Sequence, residues 1–410
     1  MPQHRPTILQ IIPRLDTGGA ERTTIEMTQA IVAAGGRALV VTEGGRMLPQ
    51  VTQAGGEVIT LNAGTKNPLW MLANARRLQR LVEREKVDLL HARSRAPAWS
   101  ALVAARLSGR PLATTYHGAY AEKGAAKRTY NSIMARGDVV IANSHYTSRL
   151  IQSRYGTPAS RIRVIHRGID EASFDPEKVS ADRVDCLRVQ WGLRARQRAV
   201  LHAARLTSWK GQSVVIAAAG RIIQQHGAGN DWVVVLAGDA QGRSDYVEQL
   251  EQQIAHEGLA GRVRLVGHVD DMPAAYLAAH VAVVASTEPE AFGRAAAEAE
   301  AMGCPVIATN IGAAPETVKA EPQVAASEIT GWLVPPADIE QLAHHMSTAL
   351  RLTESERAGL GERARVHVTQ SFSLAAMQQA TLRVYDDLLG TRMAEVWAGT
   401  KPHPSRITDA

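Results

Sequence analysis

The chain of 410 residues has no run of eighteen apolar residues, and its start, Met1-Pro-Gln-His-Arg-Pro-Thr, lacks the apolar core of a signal peptide. The expectation is a cytoplasmic protein that does not span a membrane. Cysteine is nearly absent: Cys186 and Cys304 are too few and too far apart for a metal cluster. One disulfide is open to them by counting, but a cytosolic chain keeps such residues as thiols. Aromatic residues make up 4% of the chain against 45% hydrophobic residues overall, so the elements are expected to pack through small side chains. No zinc-finger spacing or aromatic-rich basic segment is present, which argues against nucleic acid as a partner, and no Asp-x-Asp pair is present to hold a metal. Nor does any solenoid repeat emerge.

Acidic residues are in short supply in the first half only. Residues 1–190 hold 27 Lys and Arg against 16 Asp and Glu, a balance of +11, whereas residues 191–410 hold 19 against 24, a balance of −5. A basic half suits an anionic partner such as a phospholipid surface, a phosphorylated glycan or nucleic acid. A solvated surface is the plain alternative, since only Arg76-Arg77-x-x-Arg80 and Lys123–Arg128 come near to clustering.

Short β-branched runs alternate with longer amphipathic ones throughout. Strands are predicted at Ile8–Ile12, Ala38–Thr42, Val58–Leu61, Val87–His91, Leu112–Tyr116, Val139–Ala142 and Arg163–His166. A second series runs through Ala199–Ala203, Val233–Leu236, Val263–Val266, Val281–Ala285 and Pro305–Ala308. Helices are clearest at Ala20–Ala33, Pro68–Arg84 and Ala98–Leu107. Such alternation predicts an α/β fold with two doubly wound parallel sheets. The charged stretch Asp170–Arg198 contains Pro176 and no strand signal, and reads as the junction. The expected domains are 1–180, 181–372 and a C-terminal helical segment 373–410. Its helix is Leu374–Leu389, and Thr391–Ala410 reads as a polar, frayed tail.

Four stretches could carry chemistry. Gly18 and Gly19 lie between the first strand and the first helix, where paired glycines let backbone N–H groups approach a phosphate; a tight turn is the plain alternative. This loop is not the dinucleotide Gly-x-Gly-x-x-Gly fingerprint, and no Walker lysine follows it. Ala203-Ala-Arg-Leu-Thr-Ser-Trp-Lys-Gly211 sets Arg205 and Lys210 on one short connection, able to stabilise a leaving diphosphate or merely to face solvent. His117, in Thr115-Tyr-His-Gly118, could bond or move a proton at a strand end; His91 is the lesser candidate. Ser286–Gly303 places Glu290 in a loop and Glu298 on the following helix, Gly293–Met302. A helix N-terminus suits a phosphate, yet Arg294 and Glu298 stand four apart and could simply pair. Gly238-Asp239 and Gly267-His268 are minor signals, glycines at strand ends that let backbone approach a base or sugar.

As an ordered set, Arg205-x-x-x-x-Lys210, Gly238-Asp239, Glu290-x₇-Glu298 and Gly331-Trp-Leu-Val resemble the retaining glycosyltransferases of family 4 over nearly the whole chain. The resemblance implies the GT-B fold, two Rossmann-like domains across a cleft with the final helix crossing back to the first. It implies that Arg205 and Lys210 bind the donor diphosphate and that Glu290 contacts the donor sugar. Backbone from Ala291 through Phe292 and Gly293 to Arg294 would approach the diphosphate, and Glu298 would hold the ribose. Gly18 and Gly19 would line the cleft, with His117 beside the reacting sugar. Ala204 departs from the pattern, which commonly has glycine there. No metal or other cofactor is implied. The implied partners are a nucleotide-sugar donor and a glycan or glycolipid acceptor, with lipopolysaccharide core or exopolysaccharide as the acceptor class. The basic first half would bring the protein to the inner face of the membrane. Two other readings stay open: another enzyme on this fold, such as an epimerase or glycan phosphorylase, or a non-catalytic nucleotide-sugar binder. The latter would be expected to have lost one of Arg205, Lys210, Glu290 and Glu298, and none is missing.

Overall fold

The computed structural model describes residues 5–400 apart from 17, 121–123 and 228–230. Lys123 and the tail beyond Thr400 therefore lie outside the described residues. The chain divides into two compact units, 1–168 with 375–410, and 169–374.

The first unit is built on seven parallel strands: β1 (Thr7–Ile11), β2 (Arg37–Thr42), β3 (Glu57–Thr60), β4 (Leu89–Ala92), β5 (Leu112–Tyr116), β6 (Val139–Ala142) and β7 (Ile162–Val164). Their order across the sheet is β3-β2-β1-β4-β5-β6-β7. Helices cover both faces, so β1, β4, β5 and β6 are buried along their full length and read as mostly apolar or β-branched runs rather than as an apolar–polar alternation. The strand order reverses between β1 and β4, which pair from Ile8 opposite Leu89. Ligand crevices in such sheets form outside the carboxyl ends of the strands at this reversal.

The second unit repeats the plan with six parallel strands: β8 (Arg198–Ala203), β9 (Trp232–Ala237), β10 (Val263–Gly267), β11 (Val281–Val284), β12 (Val306–Thr309) and β13 (Gly331–Val334). Their order is β10-β9-β8-β11-β12-β13, reversing between β8 and β11. The strand β13 was not predicted. Gly331 earns its place there, because a Cβ would overlap the carbonyl oxygen of Val306 on the neighbouring strand.

Three expectations need correction. The units part after Gly168, not at 180. Ile169 donates its N–H to Phe372 O at 2.8 Å and accepts from Leu374 N at 3.0 Å, which binds the segment to the second unit. The stretch read as a junction is instead core: helix Ala181–Gln190 lies within it, and Ile169, Phe174, Leu187 and Trp191 are buried in the second unit's main apolar cluster. Nor is the segment after Gly390 frayed throughout. Met393–Thr400 is a helix whose Met393, Ala394 and Trp397 are buried. The Asp386 carboxylate starts it by accepting from Met393 N at 2.6 Å and Ala394 N at 2.9 Å, satisfying donors that a helix N-terminus leaves open. A cap supplied from the preceding helix leaves no local Ser/Thr signature to read.

Helix Leu374–Leu389 belongs to the first unit. Gln378 donates to Glu26 O at 2.7 Å, and the Tyr385 hydroxyl lies 2.7 Å from His91 Nδ1.

Candidate functional site

In the first unit the polar groups collect beyond the carboxyl ends of β1, β4 and β5. Gly18 accepts from Arg22 N at 3.1 Å and Gly19 opens helix Gly19–Ala33. A Cβ on Gly19 would overlap the guanidinium of Arg167, so close approach of this arginine accounts for the second glycine. Arg167 is buried and donates from Nη2 to His117 Nδ1 at 2.9 Å. A guanidinium has only donors, so Nδ1 is the acceptor and the imidazole proton sits on Nε2. Burial first, then the Arg167 and Arg93 cations, hold His117 well below the ordinary histidine value. It is a neutral ring with a buried Nε2–H that has no partner among the described residues.

His91 is spent elsewhere: Nδ1 meets Tyr385 and Nε2 meets Thr115 Oγ1, each at 2.7 Å, inside the sheet. Arg93, just past β4, is fully buried and donates from Nε to Gln10 Oε1 at 2.9 Å. Gln10 is oriented in turn by Thr24 O and Thr28 Oγ1. Neither Arg93 nor Arg167 was among the sequence candidates. Their signal is a cation at the carboxyl end of a buried strand or in the loop beyond it, visible only once the strand order is known.

In the second unit two loops lock together beyond β8 and β11. Gly211 has φ +80°, and a Cβ there would overlap the Ala285 carbonyl oxygen. Thr287 N donates to Trp209 O at 2.8 Å. This docking brings Lys210 Nζ to 2.7 Å from Glu290 Oε1, an oxygen that also accepts from the Ser286 hydroxyl. Lys210 Nζ lies 4.4 Å from the centre of the Trp209 ring, a cation–π contact. Burial alone would raise the Glu290 carboxyl, but Lys210 and Ser286 outweigh it and hold it below its ordinary value. Beneath the pair, burial pushes His202 down to about 4, and its Nδ1 bonds Val283 O at 2.8 Å. Glu290 is also pinned through its backbone: Ala313 N donates to Glu290 O at 2.9 Å, and a Cβ on Gly312 would overlap Glu290 main-chain atoms.

Arg205 is exposed and forms no ion pair among the described residues. Gly293, with φ +82°, leads into helix Arg294–Ala301. On that helix Arg294 Nε and Glu298 Oε1 are 2.6 Å apart, so the simple i, i+4 pairing is what the structure contains. Ala291 and Phe292 are buried; the Phe292 ring meets Phe372 edge-on at 5.4 Å, and its carbonyl accepts from Thr317 Oγ1 at 3.0 Å. Gly238 brings β9 against the Arg205 loop, since a Cβ would overlap Ala204 O. Asp239 closes the turn: its carboxylate accepts from Gln241 N at 2.7 Å and its carbonyl from Leu206 N at 3.1 Å. His268 is an exposed partner of Asp270 at 3.0 Å. Glu300 was also missed. Burial raises it well above the carboxylate range, and Thr330 donates to it at 2.6 Å. A glutamate on the alanine face of its helix is the only cue.

Two family models match the chain, "Glycosyltransferase Family 4" over residues 17–173 and "Glycosyl transferases group 1" over residues 185–367. The solved glycosyltransferase of Rickettsia africae is 31% identical and superposes with a TM-score of 0.85, covering 95% of this chain and all of that one. The chain belongs to glycosyltransferase family 4. Its fold class is GT-B, as in that structure and in HepE of Anabaena. HepE, solved with UDP and glucose, is 26% identical with a TM-score of 0.80 over 94% of this chain and 100% of its own. Among curated relatives, D-inositol 3-phosphate glycosyltransferase of Salinispora arenicola is 30% identical over 260 residues. That match covers 62% of the family 4 chain described here and 56% of the relative, little more than half its length.

Proposed function

We propose that this protein is a retaining hexosyltransferase that moves a sugar from a nucleotide diphosphate donor to a cell-envelope glycan or glycolipid, of the lipopolysaccharide-core or exopolysaccharide class. The observation that carries this is the Lys210–Glu290 pair beside unpaired Arg205, at the strand-order reversal of the second sheet. Two cations there can neutralise a diphosphate and the charge that grows on it as it leaves. No metal is needed in this reading, because Arg205 and Lys210 supply that charge.

Glu290, kept ionised by Lys210, accepts hydrogen bonds from donor-sugar hydroxyls. Glu298 exchanges Arg294 for the ribose hydroxyls, and Arg294 turns to phosphate. His117, neutral and protonated on Nε2, acts on the reacting sugar as a hydrogen-bond donor rather than as a base. With His117 acting as a donor rather than a base, the simplest course is attack on the face that the diphosphate leaves. The anomeric carbon–oxygen bond to phosphate breaks, the bond to the acceptor oxygen forms, and the acceptor proton passes to the departing phosphate oxygen. Double displacement through Glu290 is disfavoured, because one of its oxygens is already committed to Lys210 and Ser286.

The structure of HepE with UDP and glucose makes UDP-sugars the first donors to try. The inositol phosphate in the curated relative's name is an anionic group, in keeping with an anionic acceptor for the basic first half. The test is a screen of UDP-, GDP- and ADP-sugars, with and without chelator, reading release of nucleoside diphosphate. Release from one donor, insensitive to chelator, is expected. Interconverted sugars without release would mark an epimerase. Binding without any turnover would mark a non-catalytic protein. Loss of activity in chelator with recovery on adding divalent metal would overturn the metal-free reading.

A further inference from the structure

Helix Pro68–Arg84 carries its apolar residues on both faces. Ala75, Leu78, Leu81 and Val82 are buried on one face, as an amphipathic helix requires. On the other, Leu69, Trp70 and Leu72 are 78%, 55% and 57% exposed. These three lie within four residues of one another, whereas isolated exposed apolar residues need no explanation. The turn is not frayed: Pro68 starts it, and Asn67 Oδ1 accepts from Leu69 N at 2.9 Å. The fold therefore holds a tryptophan and two leucines out in solvent.

The rest of that face is basic. Lys66, Arg76, Arg77 and Arg80 are exposed, and Glu83 is the exposed acid nearest to them along the helix. Lys66, Arg76 and Arg80 have no ion-pair partner among the described residues, while Arg77 lies 5.8 Å from the Trp70 ring centre. A second copy meeting this face symmetrically would set arginines against arginines. An anionic lipid surface satisfies both halves of the face at once, since acyl chains receive the apolar turn and phosphates receive the cations. No helix among the described residues is long and apolar enough to cross a membrane, so the contact is peripheral.

We propose that this face docks the protein on an anionic bilayer, with Leu69, Trp70 and Leu72 at the acyl boundary and Lys66, Arg76, Arg77 and Arg80 on lipid phosphates. The inference deepens the reading of a lipid-borne acceptor and rests on that reading for its purpose, but not for its physical basis.

The test is flotation of the full chain with vesicles of phosphatidylcholine alone or of equal phosphatidylcholine and phosphatidylglycerol. The protein is expected to float with the mixed vesicles only, and less so as salt is raised. Leu69→Ser with Trp70→Ser should cut the partition about tenfold or more, and Arg76→Gln or Arg80→Gln about fivefold each. All of these residues are exposed, so thermal unfolding of the variants should match the parent. Failure of the parent to float with mixed vesicles, or variants that float equally well, would overturn the proposal. So would a parent dimer that these changes convert to monomer without altering flotation. Donor turnover read on the same samples separates the two ideas: flotation without turnover removes the transferase reading alone.

Discussion

The two units place their polar groups in the same position, beyond the carboxyl ends of the strands at the order reversal, and differ in how they bury and pair them. The first buries its groups deeply: a neutral His117 with its proton on Nε2, and two arginine cations, Arg167 against Gly19 and Arg93 held by Gln10. The second uses ready-made, partly exposed ion pairs, Lys210–Glu290 and Arg294–Glu298, beside an open Arg205. An ionised site suits a ligand that carries charge, while a neutral donor suits hydroxyls. On the proposed reading the second unit holds the diphosphate and grips the donor sugar through Glu290, and His117 of the first unit acts on the reacting sugar.

The largest effect should come from breaking the charged half. Lys210→Ala removes the cation from both the diphosphate and Glu290, and turnover should fall by ~10²–10³. Stability should fall less, because Ser286 still bonds Glu290. Glu290→Ala should be comparably damaging to turnover, and unchanged turnover in an intact fold would remove Glu290 from the site. Next comes Gly312→Ala, which must fit a side chain at φ +69° against the Glu290 backbone. A loss of about 1–3 kcal/mol in chemical denaturation is expected, with turnover reduced because Glu290 shifts.

Glu298→Gln should weaken nucleoside diphosphate binding by about tenfold, the order of one charge-assisted hydrogen bond, and leave the rate at saturation nearly unchanged. An equal loss in both would place Glu298 in the chemistry and blur the division between ribose and sugar. The smallest effect tests the buried half. Arg167→Met removes a cation that depresses His117, so its ionisation rises toward the ordinary range and an acid limb should enter the pH–rate profile. A profile identical to the parent would detach Arg167 from His117.

The buried histidines also make stability depend on pH. His202 titrates at about 4 when folded against 6.5 when free, so below about 6.5 the unfolded chain binds the extra proton. Stability present above that pH should be lost progressively as pH falls toward about 4, and His202→Asn should flatten this part of the curve.

Much of the charged half was legible because its parts stand close together in sequence. Arg205 and Lys210 share one loop, Glu290 and Glu298 share one strand-to-helix passage, and apolar runs mark the strands that carry them. Two things were not legible. One was that Glu290 pairs with Lys210, since pairing across 80 residues depends on how two loops dock at Gly211 and Ala285, whereas the Arg294–Glu298 pair could be read from their spacing of four. The other was most of the buried half: Gln10 of β1 meets Arg93 because β1 and β4 are neighbours, and Arg167 reaches His117 from the loop beyond β7. Element boundaries failed where the cue was remote. The Met393–Thr400 helix is capped by Asp386, and the stretch taken for a junction is tied to Phe372 and Leu374.

The most direct measurement is calorimetric titration of the nucleoside diphosphate into the parent, Lys210→Ala and His117→Ala. The account predicts affinity at least tenfold weaker for Lys210→Ala and unchanged for His117→Ala, whose loss should show only in sugar transfer. Equal weakening in both, or weakening in His117→Ala alone, would contradict the division of labour between the two units.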